Sequence, residues 1–168
     1  AALWASIVSR TDKLLVVAEA GKACFETTMQ QVLRECGVDT DALKVAPLKD
    51  PVRVYEKAKE YAERFSDDGI VAEACVYDML RAKVVCTKGD RMLNVCEKLA
   101  GPGGLQVEVD GQTVRVELVR GKNKVRRDAL DPMRFRNVLC NLRMTRGGAS
   151  FFVELQVHHQ AICEHDEQ

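Results

Sequence analysis

The sequence predicts an α+β domain: a mixed, largely antiparallel five-stranded sheet flanked by helices, with an N-terminal helical arm. Three observations carry this. Apolar residues recur at helical spacing from Thr11 to about Cys36. Two alternating runs flank a Gly-containing turn near Asp110. The late stretch FFVELQVHH (151–159) alternates apolar and polar residues as a strand does.

Each element follows in order. From Thr11 to about Cys36, the residues Leu14, Leu15, Ala18, Phe25, Met29, Val32 and Leu33 lie on a helical repeat, with Thr11 or Asp12 as cap and Gly37 as stop. LKVAPLK (43–49) is short and extended, and Pro51 suits the first turn of the next helix, 51–65. Val54, Ala58, Tyr61, Ala62 and Phe65 share one face of it. SDDG (66–69) breaks that helix, a short helical piece (70–76) follows, and DMLRAKVVC (78–86) reads as a buried strand. DRMLNVCEKLA is a helix closed by GPGG. LQVEV and TVRVELV form a hairpin about Asp110–Gly111, then comes the basic loop RGKNKVRRDALDP. RNVLCNLRM, the turn TRGGAS and the strand at 151–157 make a second hairpin before a final helix. The division is an arm over 1–40 and a domain over 41–168.

Composition narrows the function classes. Apolar residues at 46% and charged residues at 30% mark a globular chain rather than a disordered one. Basic and acidic residues both number 25, so no global field argues for nucleic acid or membrane. The balance is local: between Arg115 and Arg146 ten basic residues face three acidic ones. No apolar run approaches the roughly 20 residues that span a bilayer. Seven cysteines, none in a C-x-x-C pair and most among apolar neighbours, read as buried free thiols in an intracellular, reducing compartment, cytoplasm or organelle. Zinc-ligand spacing is missing. The chain opens AALWASIVSR without Met, which fits a processed or partial polypeptide.

Taken singly, the chemical candidates have bland alternatives. Asp78 at a strand start can be a cap, and Glu154 on a strand face can be the cross-strand partner of Arg143. His158 and His159 can cap the final helix, and the basic loop can be solvated. Together they suggest more. Two carboxylates on neighbouring strands can hold Mg²⁺, a hard ion that keeps oxygen ligands and bridges to phosphate. A rim of Lys and Arg neutralises a triphosphate, and Phe135 can stack a base. That is the chemistry of phosphoryl or pyrophosphoryl transfer.

In this order, DMLRAKVVC, RGKNKV, RFRNVLCNL and VELQVHHQAI resemble the successive motifs of the RelA/SpoT synthetase domain, from Lys49 to Cys163. The likeness is to its divergent eukaryotic members, with their wording Y-R-D-V-L-L-N-V and E-L-Q-L-H. That family moves pyrophosphate from ATP to the 3′-hydroxyl of GDP or GTP. Against its R-x-K-x-x-x-S-I-x-x-K segment, Lys49 and Lys57 stand at the lysines, Pro47 at the arginine and Arg53 at the serine. Asp78 resembles the metal-binding aspartate of D-x-x-x-x-R, with Lys83 at the arginine, and Lys122 lies in the phosphate-facing loop. Phe135 takes the place of the guanine-stacking tyrosine, Arg134 of the glycine before it, and Leu139 of a histidine. Glu154 and Gln156 match E-x-Q-x-R, whose glutamate binds metal and activates the hydroxyl; His158 replaces its arginine and Cys163 a later histidine.

The resemblance implies catalytic Glu154 and Gln156, metal at Asp78 and Glu154, nucleotide on Lys49, Lys57, Lys83, Lys122 and Phe135, and Mg²⁺ as cofactor. Lost phosphate-binding arginines imply reduced or lost synthesis, because Lys does not replace a bidentate Arg. The expectation is a nucleotide-binding or structural module in a larger assembly, with a purine nucleotide, protein or RNA as partner. An active Mg-dependent pyrophosphokinase, or an RNA- or protein-docking module using the basic 115–146 patch, stand beside it. No H-D hydrolase segment is present, so alarmone degradation is not expected.

Overall fold

A computed structural model describes residues 2–64, 79–124 and 137–162. Helix α1, Ala2–Glu35, leads through a 3₁₀ turn, Thr40–Ala42, to β1, Leu43–Val45. Helix α2 is Pro51–Arg64, β2 is Leu80–Cys86 and α3 is Gly89–Leu99. Strands β3, Leu105–Val109, β4, Gln112–Asn123, β5, Val138–Arg146, and β6, Ala149–His159, complete the chain order. They form one sheet ordered β1-β2-β6-β5-β4-β3, parallel at β2–β6 and antiparallel elsewhere.

The sheet therefore has six strands, not five. The added one is β1, an edge strand of three residues, too short to show alternation. Its extended chain runs on past Val45, since Ala46 N donates to Arg81 O at 2.9 Å and Lys49 N to Met79 O at 3.2 Å. Strand β4 also outruns the expected 113–119. A bulge between Leu118 and Arg120 lets it continue to Asn123, so Arg120 and Lys122 are strand residues and not loop. Both hairpin turns hold positive φ where expected, at Asp110 and Gly111 and at Gly147 and Gly148.

Helix α1 begins nine residues before the expected cap, because Thr11 is buried inside the helix. Its end is as the sequence foretells. Gly37 takes φ +70, and the bonds Val38 N to Leu33 O (2.9 Å) and Gly37 N to Arg34 O (3.1 Å) close the last turn. The second half of α1 lies in the core through Phe25, Met29, Val32 and Leu33. It approaches β6 closely at Gly21, where a Cβ would meet the Phe151 ring at 2.9 Å. Val54 and Ala58 of α2 and Val95 and Leu99 of α3 join the same core. At the start of α2, Asp50 Oδ1 accepts from Val52 N at 2.9 Å.

The strand at 150–157 lies inside the sheet, between β2 and β5. Its Val153, Leu155 and Val157 are sealed against the helices. Five described cysteines are free thiols; Cys24, Cys36, Cys86 and Cys140 are buried, whereas Cys96 is only half-buried, at the margin of α3's apolar face. Cys75 and Cys163 lie outside the described residues. So do Phe65, the piece at 70–76, most of the basic loop and the chain after 162. No helix among the described residues is long and apolar enough to cross a membrane.

Candidate functional site

Alternation puts Glu154, Gln156 and His158 on the face of β6 opposite the core. Register then fixes their neighbours. Glu154 stands between Arg81 of β2 and Asn141 of β5, which pairs in turn with Arg120 of β4. One row further, Lys44, Lys83, Gln156, Leu139 and Lys122 follow one another across five strands. A buried carboxylate is thus set in a field of cations along one face.

Glu154 is only 7% exposed. Burying a charge requires compensation, and part comes from its own strand. Gln156 Nε2 donates to Glu154 Oε1 at 3.1 Å, and Gln156 Oε1 lies 3.1 Å from His158 Nε2. Because that amide oxygen can only accept, Nε2 of His158 carries the proton. The Asn137 amide lies 3.5 Å from the same nitrogen, Asn137 is 4% exposed, and its Oδ1 has no hydrogen-bond partner. Presenting that oxygen to the ring would give the N–H a second acceptor. The observed ladder runs from His158 through Gln156 to the carboxylate, with Asn137 beside its end.

The bland alternative, a cross-strand pair of Glu154 with Arg143, does not form. Arg143 lies opposite Phe152 and binds Glu117 instead, with Nε to Oε2 at 3.1 Å, while Arg115 Nε holds Oε1 of the same carboxylate at 2.5 Å. Arg143, first, and then Arg115 hold the Glu117 carboxyl below the usual range.

Of the sequence candidates, Glu154, Gln156, Lys83 and Lys122 share the polar face. Lys49 follows β1 and is half-buried; Lys57 lies on α2 rather than on the sheet. Asp78 and Phe135 lie outside the described residues. Arg81, Lys44 and Asn141 escape sequence analysis. Arg81 had a readable signal, since it is two positions from Lys83 on one strand; Lys44 and Asn141 emerge only from register.

Among the described residues no three His, Cys, Asp or Glu side chains stand close enough to hold a metal ion. Magnesium brought in by a phosphate chain needs only one or two protein carboxylates. Glu154, with Oε1 engaged and, among the described residues, Oε2 left for a hard cation, fits that mode.

The arrangement as a whole is a RelA/SpoT synthetase fold. It is similar to small alarmone synthetase 1 from Bacillus subtilis bound to its product pppGpp, with a TM-score of 0.59 and 11% identity over 93% of this chain and 78% of that one. Small alarmone synthetase 2 of the same organism gives 0.56 and 13%, covering 91% and 74%. A GTP pyrophosphokinase family protein from Streptococcus pneumoniae gives 0.53 and 12%, covering 95% and 74%. At such identities the fold is what is shared. No family model and no curated relative matches the chain.

Proposed function

We propose that this chain is a RelA/SpoT-like nucleotide-binding module of reduced or lost synthetic activity, serving in a larger assembly. The observation that carries it is the buried Glu154 carboxylate, held by Gln156 on a sheet face flanked by Arg81, Lys83 and Lys122. The solved structure bound to pppGpp supports a purine nucleotide as the ligand class.

The residues take these roles. Glu154, with Asp78, would hold Mg²⁺, which would supply neutralisation of the nucleotide's phosphate charge. Gln156 orients the carboxylate. Lys49, Lys57, Lys83 and Lys122 neutralise the phosphates, and Phe135 stacks the base. Pro47 and His158 stand where the resemblance puts phosphate-binding arginines. Each lost charged contact costs on the order of 1.5–3 kcal/mol, so synthesis is slow or absent.

Thermal melting with Mg–ATP, Mg–GTP and Mg–GDP, followed by product chromatography, tests this. Ligand at a hundred times Kd should add about 2.7 kcal/mol of stability, raising the melting temperature by roughly 5–10 °C. Glu154→Gln should abolish the shift. Brisk release of AMP would establish the active pyrophosphokinase instead. A flat response to every nucleotide would leave docking through the basic patch.

A further inference from the structure

By sequence both histidines at the end of β6 suit the cap of the final turn, and the structure gives that role to one of them. His159 Nδ1 accepts from Ala161 N at 3.2 Å. His158 points the other way, onto the face of Glu154 and Gln156, because neighbours on a strand alternate. It is half-buried there, with Nε2 3.1 Å from Gln156 Oε1. Successive side chains on one face of a strand stand roughly 7 Å apart, so only long polar groups can join them. Gln156 spans the gap on both sides.

The direction of this ladder follows from its charged end. Gln156 can turn either its NH₂ or its oxygen toward Glu154. An ionised carboxylate only accepts, so it takes the NH₂ and leaves the amide oxygen facing His158. That oxygen accepts as well, which puts the ring proton on Nε2. Asn137 is an independent sign. It is 4% exposed, its amide lies 3.5 Å from the same ring nitrogen, and its Oδ1 has no partner among the described residues. An N–H at Nε2 can serve both oxygens once the Asn137 amide is turned. The other tautomer inverts the chain. Gln156 would then donate to His158 and turn its oxygen on a buried carboxylate, acceptor against acceptor.

We propose that His158 is a positioning residue for Glu154, holding the Gln156 amide so that it donates to Oε1 and leaves Oε2 for the ligand. This role rests on the function proposed above, in which Glu154 meets a magnesium nucleotide, and adds what fixes that carboxylate. An arginine, as the resemblance has here, reaches out to phosphate. The imidazole turns back to its own strand instead.

Nitrogen-15 NMR of the ligand-free protein, with the ring neutral, reads the tautomer. Nε2–H is expected, and Nδ1–H overturns the proposal. Calorimetry with Mg–GTP and Mg–ATP is the second arm. His158→Leu should weaken binding about fivefold, as the loss of one hydrogen bond does. His158→Gln should return to within twofold of the parent, because Gln156 itself shows that an amide reaches a neighbour two positions back along this strand. In a Gln156→Leu background the added change His158→Leu should alter affinity less than twofold, since the two residues act as one unit. A fivefold loss that persists in that background, or one as large in His158→Gln, would mean that His158 touches the ligand itself, and the positioning role falls. Unaltered affinity in His158→Leu overturns it too. Should His158→Leu fail to fold, the tautomer and His158→Gln still decide. A parent that binds neither magnesium nucleotide removes the function proposed above and this role with it. Binding by the parent with any of the other adverse results removes this role alone.

Discussion

The two faces of β6 set the same backbone in opposite surroundings. On one, Val153, Leu155 and Val157 have no solvent exposure and pack into the core that α1 and α3 share. On the other, Glu154, Gln156 and His158 are joined side chain to side chain and neighbour a row of cations. The first face is held by area removed from water and is indifferent to which ligand is present. The second is held by a few directional bonds around a carboxylate whose burial is costly. The strand therefore divides, residue by residue, into a packed side and a polar side.

Truncating neighbours on opposite faces should show this most strongly. Leu155→Ala leaves a cavity in a packed core and should cost about 2–5 kcal/mol. Gln156→Ala, one position away, removes two half-buried hydrogen bonds, the donor to Glu154 and the acceptor of His158, and should cost less, on the order of 2 kcal/mol. Chemical denaturation of both variants measures the gap. Equal losses would mean that the polar face is as structural as the core, and the comparison would break.

The apolar face was the legible one. Period-two alternation at 151–157 declares both the strand and its buried side, and the same logic places β2, β3 and most of β4. Gly37 and Asp110–Gly111 announce their turns because only special φ values fit there. What failed to show depended on pairing. Three residues of β1 carry no period, and the bulge that extends β4 to Asn123 is a property of two strands together. Glu154 and Gln156 stood out by type and spacing, yet the burial of Glu154 and its company of Arg81 and Asn141 are set by register. A sequence offers Arg143 as a partner for Glu154 only because it does not show register: the strands are adjacent, but Arg143 stands opposite Phe152 and Asn141 opposite Glu154. Glu117 wins it, since β4 borders β5 on the other side. For Asp78 and Phe135 the resemblance remains the sole guide.

A smaller effect sharpens the comparison on the buried side. Burial pushes the Cys86 thiol up to about 11, with the neighbouring Cys96 and Cys36 adding to it. The unfolded thiol ionises near its ordinary 9.0, so the unfolded state gains stability first as pH rises. The contribution is therefore whole below pH 9 and is lost between pH 9 and about 11. Cys140 is raised as well, by its hydrogen bond with Cys96 and then by burial, whereas that same bond lowers Cys96, so the two thiols of this pair act in opposite directions. Denaturation midpoints at pH 8 and pH 10 should differ less in Cys86→Ala than in the parent. An identical alkaline loss in both would place that loss elsewhere, such as at Tyr55, whose hydroxyl is raised by its bond to Asp12.

The smallest effect belongs to the solvent-facing end of the polar side. Glu117 takes Arg143 on Oε2 and Arg115 on Oε1, and both cations hold its carboxyl down. A depressed carboxyl favours folding above its unfolded value, 4.5, and that favour fades as pH falls through the lower folded value. Both arginines are exposed, so water and salt screen the pair, and ion pairs of this kind add little to stability. Arg143→Ala should therefore raise the Glu117 titration midpoint, followed by NMR of its carboxyl, while the denaturation midpoint at neutral pH barely moves. Added salt should shrink the titration difference further. A large loss of stability in Arg143→Ala would instead tie the Glu117 cluster to the packing of β4 on β5, and the polar face would no longer divide into a buried ladder and a solvated rim.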